Sequence, residues 1–286
     1  MIQERDFEVL AELKKWQVPG LMYHSISEHA SSRFRPFTVL PASFADQMAY
    51  LHQHAYTPLT VSQLASALSQ QENALPERPV VLTFDDGYAD FFTEALPVLK
   101  RYNFTATLYI TTAFINDTSR WMRYEGETTR PMLTWAQLEQ ISTGGIECAA
   151  HTHTHPQLDT LPRSLARGEI VHSKKLLEDH LGKEVNSFAY PYGYLTTTLR
   201  QQVQEAGFTS ACSVDQELGS ETADIFALTR LMVNRDMGLD QFAELLRGRR
   251  SSAIKNLYRQ VKDPVWQRAR YYAASVKRYL RGEMHR

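Results

Sequence analysis

Short apolar runs alternate along this chain with stretches whose apolar residues recur every three or four positions. The runs at 21 to 24 (LMYH), 80 to 84 (VVLTF), 105 to 110 (TATLYI), 145 to 150 (GIECAA), 187 to 191 (SFAYP), 209 to 214 (TSACSV) and 227 to 233 (ALTRLMV) read as about seven strands. Helical spacing fills 43 to 54, 62 to 70, 89 to 102, 134 to 143, 163 to 182, 195 to 206 and 239 to 247. Pro41 with Ser43, Thr134 and Pro162 with Ser164 supply helix starts, while Gly182 and Gly207 stand where helices should stop. Strands separated by helices imply parallel pairing with helical crossovers.

Length and composition narrow the class without choosing a chemistry. At 286 residues the chain fits one sizeable α/β domain with extensions. Hydrophobic residues at 43% and charged residues at 22% are ordinary for a globular protein and exclude a disordered or fibrous chain. Lys and Arg number 31 against 32 Asp and Glu, so no overall positive charge marks a nucleic-acid partner. Cys148 and Cys212 are too few for a disulfide framework and read as reduced core residues. Charges at Glu4, Arg5, Asp6, Glu8 and Glu12 interrupt the start where a secretory leader would be apolar, which leaves a cytoplasmic protein or a processed form of an exported one, and the cytoplasm, up to the inner membrane face, is the reading favoured.

The domain reading is a helical extension over 1–17, a catalytic domain over 18–249 and a tail over 250–286. Lys255, Arg259, Lys262, Arg268, Arg270, Lys277, Arg278, Arg281 and Arg286 in that tail face only Asp263 and Glu283. Its apolar residues fall at helical steps, so it reads as two basic amphipathic helices. Their basic face suits either an anionic membrane surface or plain solvent, with the apolar stripe packed on the domain.

In α/β folds reactive side chains gather where strands end. The first run ends at His24, the second at Asp85 and Asp86, the fourth at His151, and the fifth at Tyr192 and Gly193. Adjacent carboxylates after an apolar run need a cation beside them. His151, His153 and His155 alternate within five residues, and two imidazoles with one carboxylate make an open divalent-metal site. With one carboxylate on the metal and the other accepting a proton from water activated there, the constellation reads as a hydrolytic centre. A phosphoryl-transfer reading fits less well, because imidazoles are softer than Mg²⁺ prefers and no Gly-rich phosphate loop follows a strand.

TFDDGYAD, HTHTHPQL and FAYPYG in this order resemble the leading motifs of the polysaccharide deacetylases, carbohydrate esterase family 4. The resemblance spans about Leu21 to Leu246 and is closest to the poly-N-acetylglucosamine deacetylase branch. It implies an α/β fold, a distorted (β/α)7 barrel, that removes N-acetyl groups from amino sugars in a polysaccharide or glycan precursor, to which the composition adds the C-terminal basic helical extension. It implies a bound divalent metal as well, Zn²⁺ or else Co²⁺ or Ni²⁺. Carried over by position, Asp85 matches the base, and Asp86, His151 and His155 the metal ligands. On alternation alone His153 stays a competing ligand.

Tyr190, Pro191, Tyr192 and Gly193 match a groove wall and oxyanion loop, with a backbone N–H of the Tyr192 loop as donor. Two features depart from the family. Ala189 stands where many members carry an arginine beside the base, and LTRLMV lacks the histidine that usually serves as acid. His24 is the candidate acid, against a purely structural histidine. Arg230 is a candidate to orient Asp85, although a guanidinium capping a strand end or contacting a helix is the reading the sequence favours. Trp121, Tyr124, Trp135 and Phe114 could offer stacking faces to a sugar, but packing is the default for aromatics and none of them is assigned to the site. Two further readings stand beside the deacetylase: a glycan-binding barrel without turnover, and a deacylase of a lipid-linked or nucleotide-linked sugar.

Overall fold

The computed structural model describes residues 18–70, 75–214 and 224–247. The helical extension expected over 1–17 and the basic tail over 250–286 lie outside the described residues.

Among the described residues there are ten strands: β1 (Gly20–Tyr23), β2 (Ser25–Ile26), β3 (Thr38–Val39), β4 (Thr57–Leu59), β5 (Pro79–Phe84), β6 (Thr107–Ile110), β7 (Glu147–Ala150), β8 (Ser187–Ala189), β9 (Ser210–Val214) and β10 (Leu228–Met232). The helices are α1 (Pro41–Gln53), α2 (Val61–Gln70), α3 (Leu96–Arg101), α4 (Trp135–Thr143), α5 (Arg163–Leu181), α6 (Thr197–Glu205) and α7 (Leu239–Leu246). Thr134 caps α4 by accepting from Gln137 N in a capping box, and Gly182 ends α5 at φ 62°. Ahead of α3, Phe91–Ala95 forms a wider π turn.

The main sheet runs in the order β1-β10-β9-β8-β7-β6-β5-β4, every pair parallel, and β1 pairs with β5 as well. That last pairing, Gly20 to Tyr23 against Val81 to Phe84, closes a ring of seven strands. The barrel is distorted where β5 divides one edge, its first residues pairing with Thr57 to Leu59 of β4 and its last two with Thr107 and Leu108 of β6. β4 and the separate β2–β3 pair were not anticipated, since strands of two or three residues give too little alternation to detect.

Alternation sorts each barrel strand between two cores. In β5, Val80, Leu82 and Phe84 face the outer layer, where Phe44 and Met48 of α1 and Ile170 and Leu177 of α5 cover the barrel. Burying each such side chain contributes on the order of 2 kcal/mol. Val81 faces inward with Tyr109, Ala149, Ala189 and Cys212. Val61 and Leu64 of α2 join that inner cluster and plug the N-terminal end of the barrel. Glu147 inside the barrel holds the plug, accepting from Thr107 Oγ1 at 2.6 Å and from Ser62 N in the first turn of α2 at 3.3 Å. Cys148 and Cys212 are free and buried, as expected, and burial pushes their thiols up to about 12 and about 11.

Candidate active site

The inward row of β5 continues past Thr83 to Asp85 at the open end of the barrel, and Asp86 follows at φ 76° with Gly87 at φ 85°. This left-handed step turns Asp86 into the mouth beside Asp85. His151 follows β7 directly, its N–H still donating to Ile110 O at 3.0 Å in the ladder with β6. Thr152 (φ 68°) and His155 (φ 58°) then fold the chain back on itself. Strained non-glycine backbone of this kind concentrates at functional sites, where surrounding contacts enforce it.

The fold-back brings Asp86, His151 and His155 together with one ligand atom from each within 4.8 Å of the others. Asp86 Oδ1 lies 3.5 Å from His151 Nε2 and 3.3 Å from His155 Nε2, and it has no hydrogen-bond partner among the described residues. His151 Nδ1 must carry the ring proton, because it sits 2.8 Å from the carbonyl oxygen of Ala189, which can only accept. Its Nε2 lone pair therefore faces Asp86. Burial, outweighing the nearby carboxylates, lowers both His151 and His155 to about 4, so both rings are neutral ligands near neutral pH. Asp86 Oδ1 and the His151 Nε2 lone pair converge with His155 Nε2 at spacings that fit a divalent cation, whose ligands at about 2.1 Å in a tetrahedral shell lie about 3.4 Å apart. The residues present fit the metal that the motif pattern implies.

Asp85 stands next to this group, its Oδ2 4.0 Å from His151 Nε2, and is 3% exposed. Burial would raise its pKa, yet the Arg230 guanidinium more than offsets it, with His151 and His24 assisting, and holds the carboxyl at about 2. Arg230 Nη1 donates to Oδ1 at 2.5 Å and Nη2 to Oδ2 at 2.8 Å. Nη1 also reaches Thr83 Oγ1 at 3.1 Å, and the guanidinium lies over the Tyr109 ring, 5.1 Å from its centroid. Arg230 therefore does not cap a strand end or contact a helix: β10 places it inside the barrel, 1% exposed, as the partner of Asp85.

His24 follows β1 at the same end, its ring 5.2 Å from that of Phe37 and its Nδ1 buried without a partner. His153 is turned away from the metal group. Its Nδ1 lies 2.9 Å from Thr112 Oγ1 and its ring packs edge-on against His172, 4.4 Å between centroids. It is no competing ligand, because the chain leaves extended geometry at Thr152 and strand alternation stops applying there.

The loop after β8 also differs in part from expectation. Tyr190 is fully buried with its hydroxyl donating to Phe226 O at 3.3 Å, and Pro191 is buried beneath the loop, so neither forms a groove wall. Tyr192, 45% exposed, stands at the mouth with its ring 4.9 Å from that of His155. Gly193 at φ 73° has Val214 so near that a Cβ there would meet Val214 Cβ at 2.7 Å. Trp121, left unassigned to the site above, also touches it: its ring is 5.7 Å from that of His155, and its buried Nε1 has no partner. It lies in a turn-rich segment without periodicity, so the sequence offered it as a stacking aromatic without separating it from those that only pack.

Comparison with known proteins agrees with this fold. The family described as polysaccharide deacetylase matches residues 72–211. The chain is 29% identical over 229 residues to YxkH of Bacillus subtilis, covering 80% of this chain and 76% of that protein. It is 21% identical over 277 residues to the poly-beta-1,6-N-acetyl-D-glucosamine N-deacetylase of Escherichia coli, covering 85% of this chain but 41% of that longer protein. Among solved structures, the Streptococcus pyogenes deacetylase PplD, in complex with acetate, superposes with a TM-score of 0.69 at 24% identity, covering 82% of this chain and 98% of that one.

Proposed function

We propose that this chain, a member of the polysaccharide deacetylase family, is a metal-dependent hydrolase that removes N-acetyl groups from the amino sugars of an N-acetylated polysaccharide. The observation that carries the reading is an ionised carboxylate, Asp85, clamped by Arg230 and set 4.0 Å from His151 in a three-ligand centre. Among the described residues, no helix is long and apolar enough to cross a membrane.

Asp86, His151 and His155 would hold the cation, and two imidazoles with one carboxylate favour Zn²⁺, with Co²⁺ or Ni²⁺ as substitutes. When bound, such an ion makes water more acidic and polarises a carbonyl oxygen. That chemistry matches a base held at about 2, which is weak for ordinary water but always ionised near neutral pH. Asp85 takes the proton of a water molecule whose oxygen adds to the amide carbonyl carbon. The carbon–nitrogen bond then breaks, and His24 gives the departing nitrogen a proton. Acetate and a free amino sugar are the products. The Tyr192 loop supplies an N–H toward the oxygen that gains negative charge, and the Tyr192 and Trp121 rings offer apolar faces to the pyranose.

The name of the Escherichia coli relative supports a β-1,6-linked N-acetylglucosamine polymer as the substrate class. A glycan-binding barrel without turnover would have no use for an Arg-clamped base beside converging ligands. The test is acetate release from N-acetylglucosamine oligomers after chelator stripping and refilling with Zn²⁺, Co²⁺ or Ni²⁺. Metal-restored release that is lost in Asp85→Asn and His151→Ala supports the proposal, whereas stoichiometric metal uptake without release from any oligomer counts against it.

A further inference from the structure

The five residues that carry both imidazole ligands are held in an unusual conformation by few contacts. Thr152 and His155 lie in the left-handed region, so this backbone does not favour its own shape. Thr112 N donates to Thr152 O at 3.3 Å and Ala113 N to His153 O at 2.8 Å, while Thr152 Oγ1 accepts from His155 N at 3.0 Å. Two further N–H groups of the fold-back go to one side chain. Glu169 Oε2 accepts from His153 N at 2.9 Å and from Thr154 N at 2.7 Å, and its Oε1 accepts from Thr154 Oγ1 at 2.7 Å.

Glu169 stands on α5, whose Ala166, Ile170, Ser173 and Leu177 are buried against the barrel. The carboxylate is therefore anchored to a rigid element, and its bonds to the loop are charge-assisted. None of them reaches an imidazole. We infer that Glu169 is a positioning residue for the metal centre: by holding the His153 and Thr154 N–H groups it keeps the fold-back in the conformation that brings His155 Nε2 to 3.3 Å from Asp86 Oδ1. The inference rests on the reading of Asp86, His151 and His155 as a metal site. Without Glu169 the loop relaxes toward ordinary backbone angles, His155 spends less time facing Asp86, and metal affinity falls by the fraction of competent loops. Outer partners of metal ligands typically contribute 10- to 100-fold in affinity.

The test is Zn²⁺ titration calorimetry and Co²⁺ visible absorption on the full chain and its Glu169→Ala, Glu169→Gln and Thr154→Val variants, each below its unfolding temperature. The expected result is one Zn²⁺ per chain throughout, with roughly 10- to 100-fold weaker binding and a weaker cobalt band in Glu169→Ala. Glu169→Gln, which keeps an acceptor oxygen, should fall between, and Thr154→Val, which loses the hydroxyl bond alone, should stay near the parent. Glu169→Ala that binds Zn²⁺ as tightly as the parent with an unchanged cobalt band overturns the inference, whatever happens to thermal stability. If Glu169→Ala does not fold, Glu169→Gln decides by the same two readouts. A parent chain that takes up no metal overturns the metal-site reading and the inference with it, whereas tight binding by parent and variants alike overturns the inference alone.

Discussion

Arg230 and Asp85 are separated by 145 residues, yet they form a two-pronged ion pair inside the barrel, one guanidinium nitrogen on each carboxylate oxygen at 2.5 and 2.8 Å. Lysine can place one charge there but not two parallel donors. Arg230→Lys should therefore keep Zn²⁺ affinity and lose roughly 10²-fold in kcat through a misplaced base. Steady-state kinetics beside metal titration checks this, and an unchanged kcat would mean that the clamp does not orient the base.

The same pair predicts a pH signature. Asp85 is depressed to about 2 in the fold, so its contribution to stability is present above its unfolded value near 4 and is lost as pH falls through 2. Arg230→Met strands a buried carboxylate, a loss on the order of 3–5 kcal/mol. That loss should grow between pH 3 and pH 7, as ionising the stranded group becomes costly. Thermal unfolding across that range checks it, and the double variant Asp85→Asn with Arg230→Met should regain most of the difference.

Asp90 has the opposite sign. Burial raises it to about 6, against the Ser25 hydroxyl at 2.6 Å and Arg130 at 3.4 Å, which both favour the charge. Its stabilising effect is complete below its unfolded value near 4 and is lost as pH rises through 6, a swing on the order of 3 kcal/mol. Asp90→Asn should therefore unfold at a temperature that gains on the parent between pH 4 and pH 7. A difference that stays flat across that range would refute the raised value.

Of the three alternating histidines, His153 should be dispensable for metal. His153→Ala is expected to bind one Zn²⁺ with affinity within a few-fold of the parent, while His155→Ala loses binding by orders of magnitude. Calorimetry on the two variants separates them, and a comparable loss in both would restore His153 as a ligand.

Gly193→Ala places a methyl group 2.7 Å from Val214 Cβ and 2.9 Å from Val214 N, at a φ of 73°. Both the overlap and the strained angle act against the loop, so a loss on the order of 2 kcal/mol is expected, together with a fall in turnover as Tyr192 shifts. Denaturant unfolding and acetate release measure the two effects.

What could be read in advance depended on how locally each feature is encoded. The seven barrel strands were legible because each carries its own alternation, and strand ends led directly to Asp85, Asp86 and His151. Arg230 was raised as a partner of Asp85 but ranked below a strand cap or helix contact, since the closure that brings β10 to β1 and β1 to β5 leaves no trace near position 230. His153 stayed open because alternation was extended past the point where Thr152 breaks it. Tyr190 and Pro191 were drawn into the groove by their proximity to Tyr192, while in the fold Tyr190 faces Phe226. Glu169 had no sequence mark, because its role is toward backbone N–H groups on another element.

The plug that α2 forms beneath the barrel, with Val61 and Leu64 in the inner cluster and Glu147 tying its first turn, has a consequence for access. A barrel stopped at that end by α2 leaves the Asp85 end as the way in, so whatever enters and whatever leaves must pass the same rim of Asp86, His155 and Tyr192.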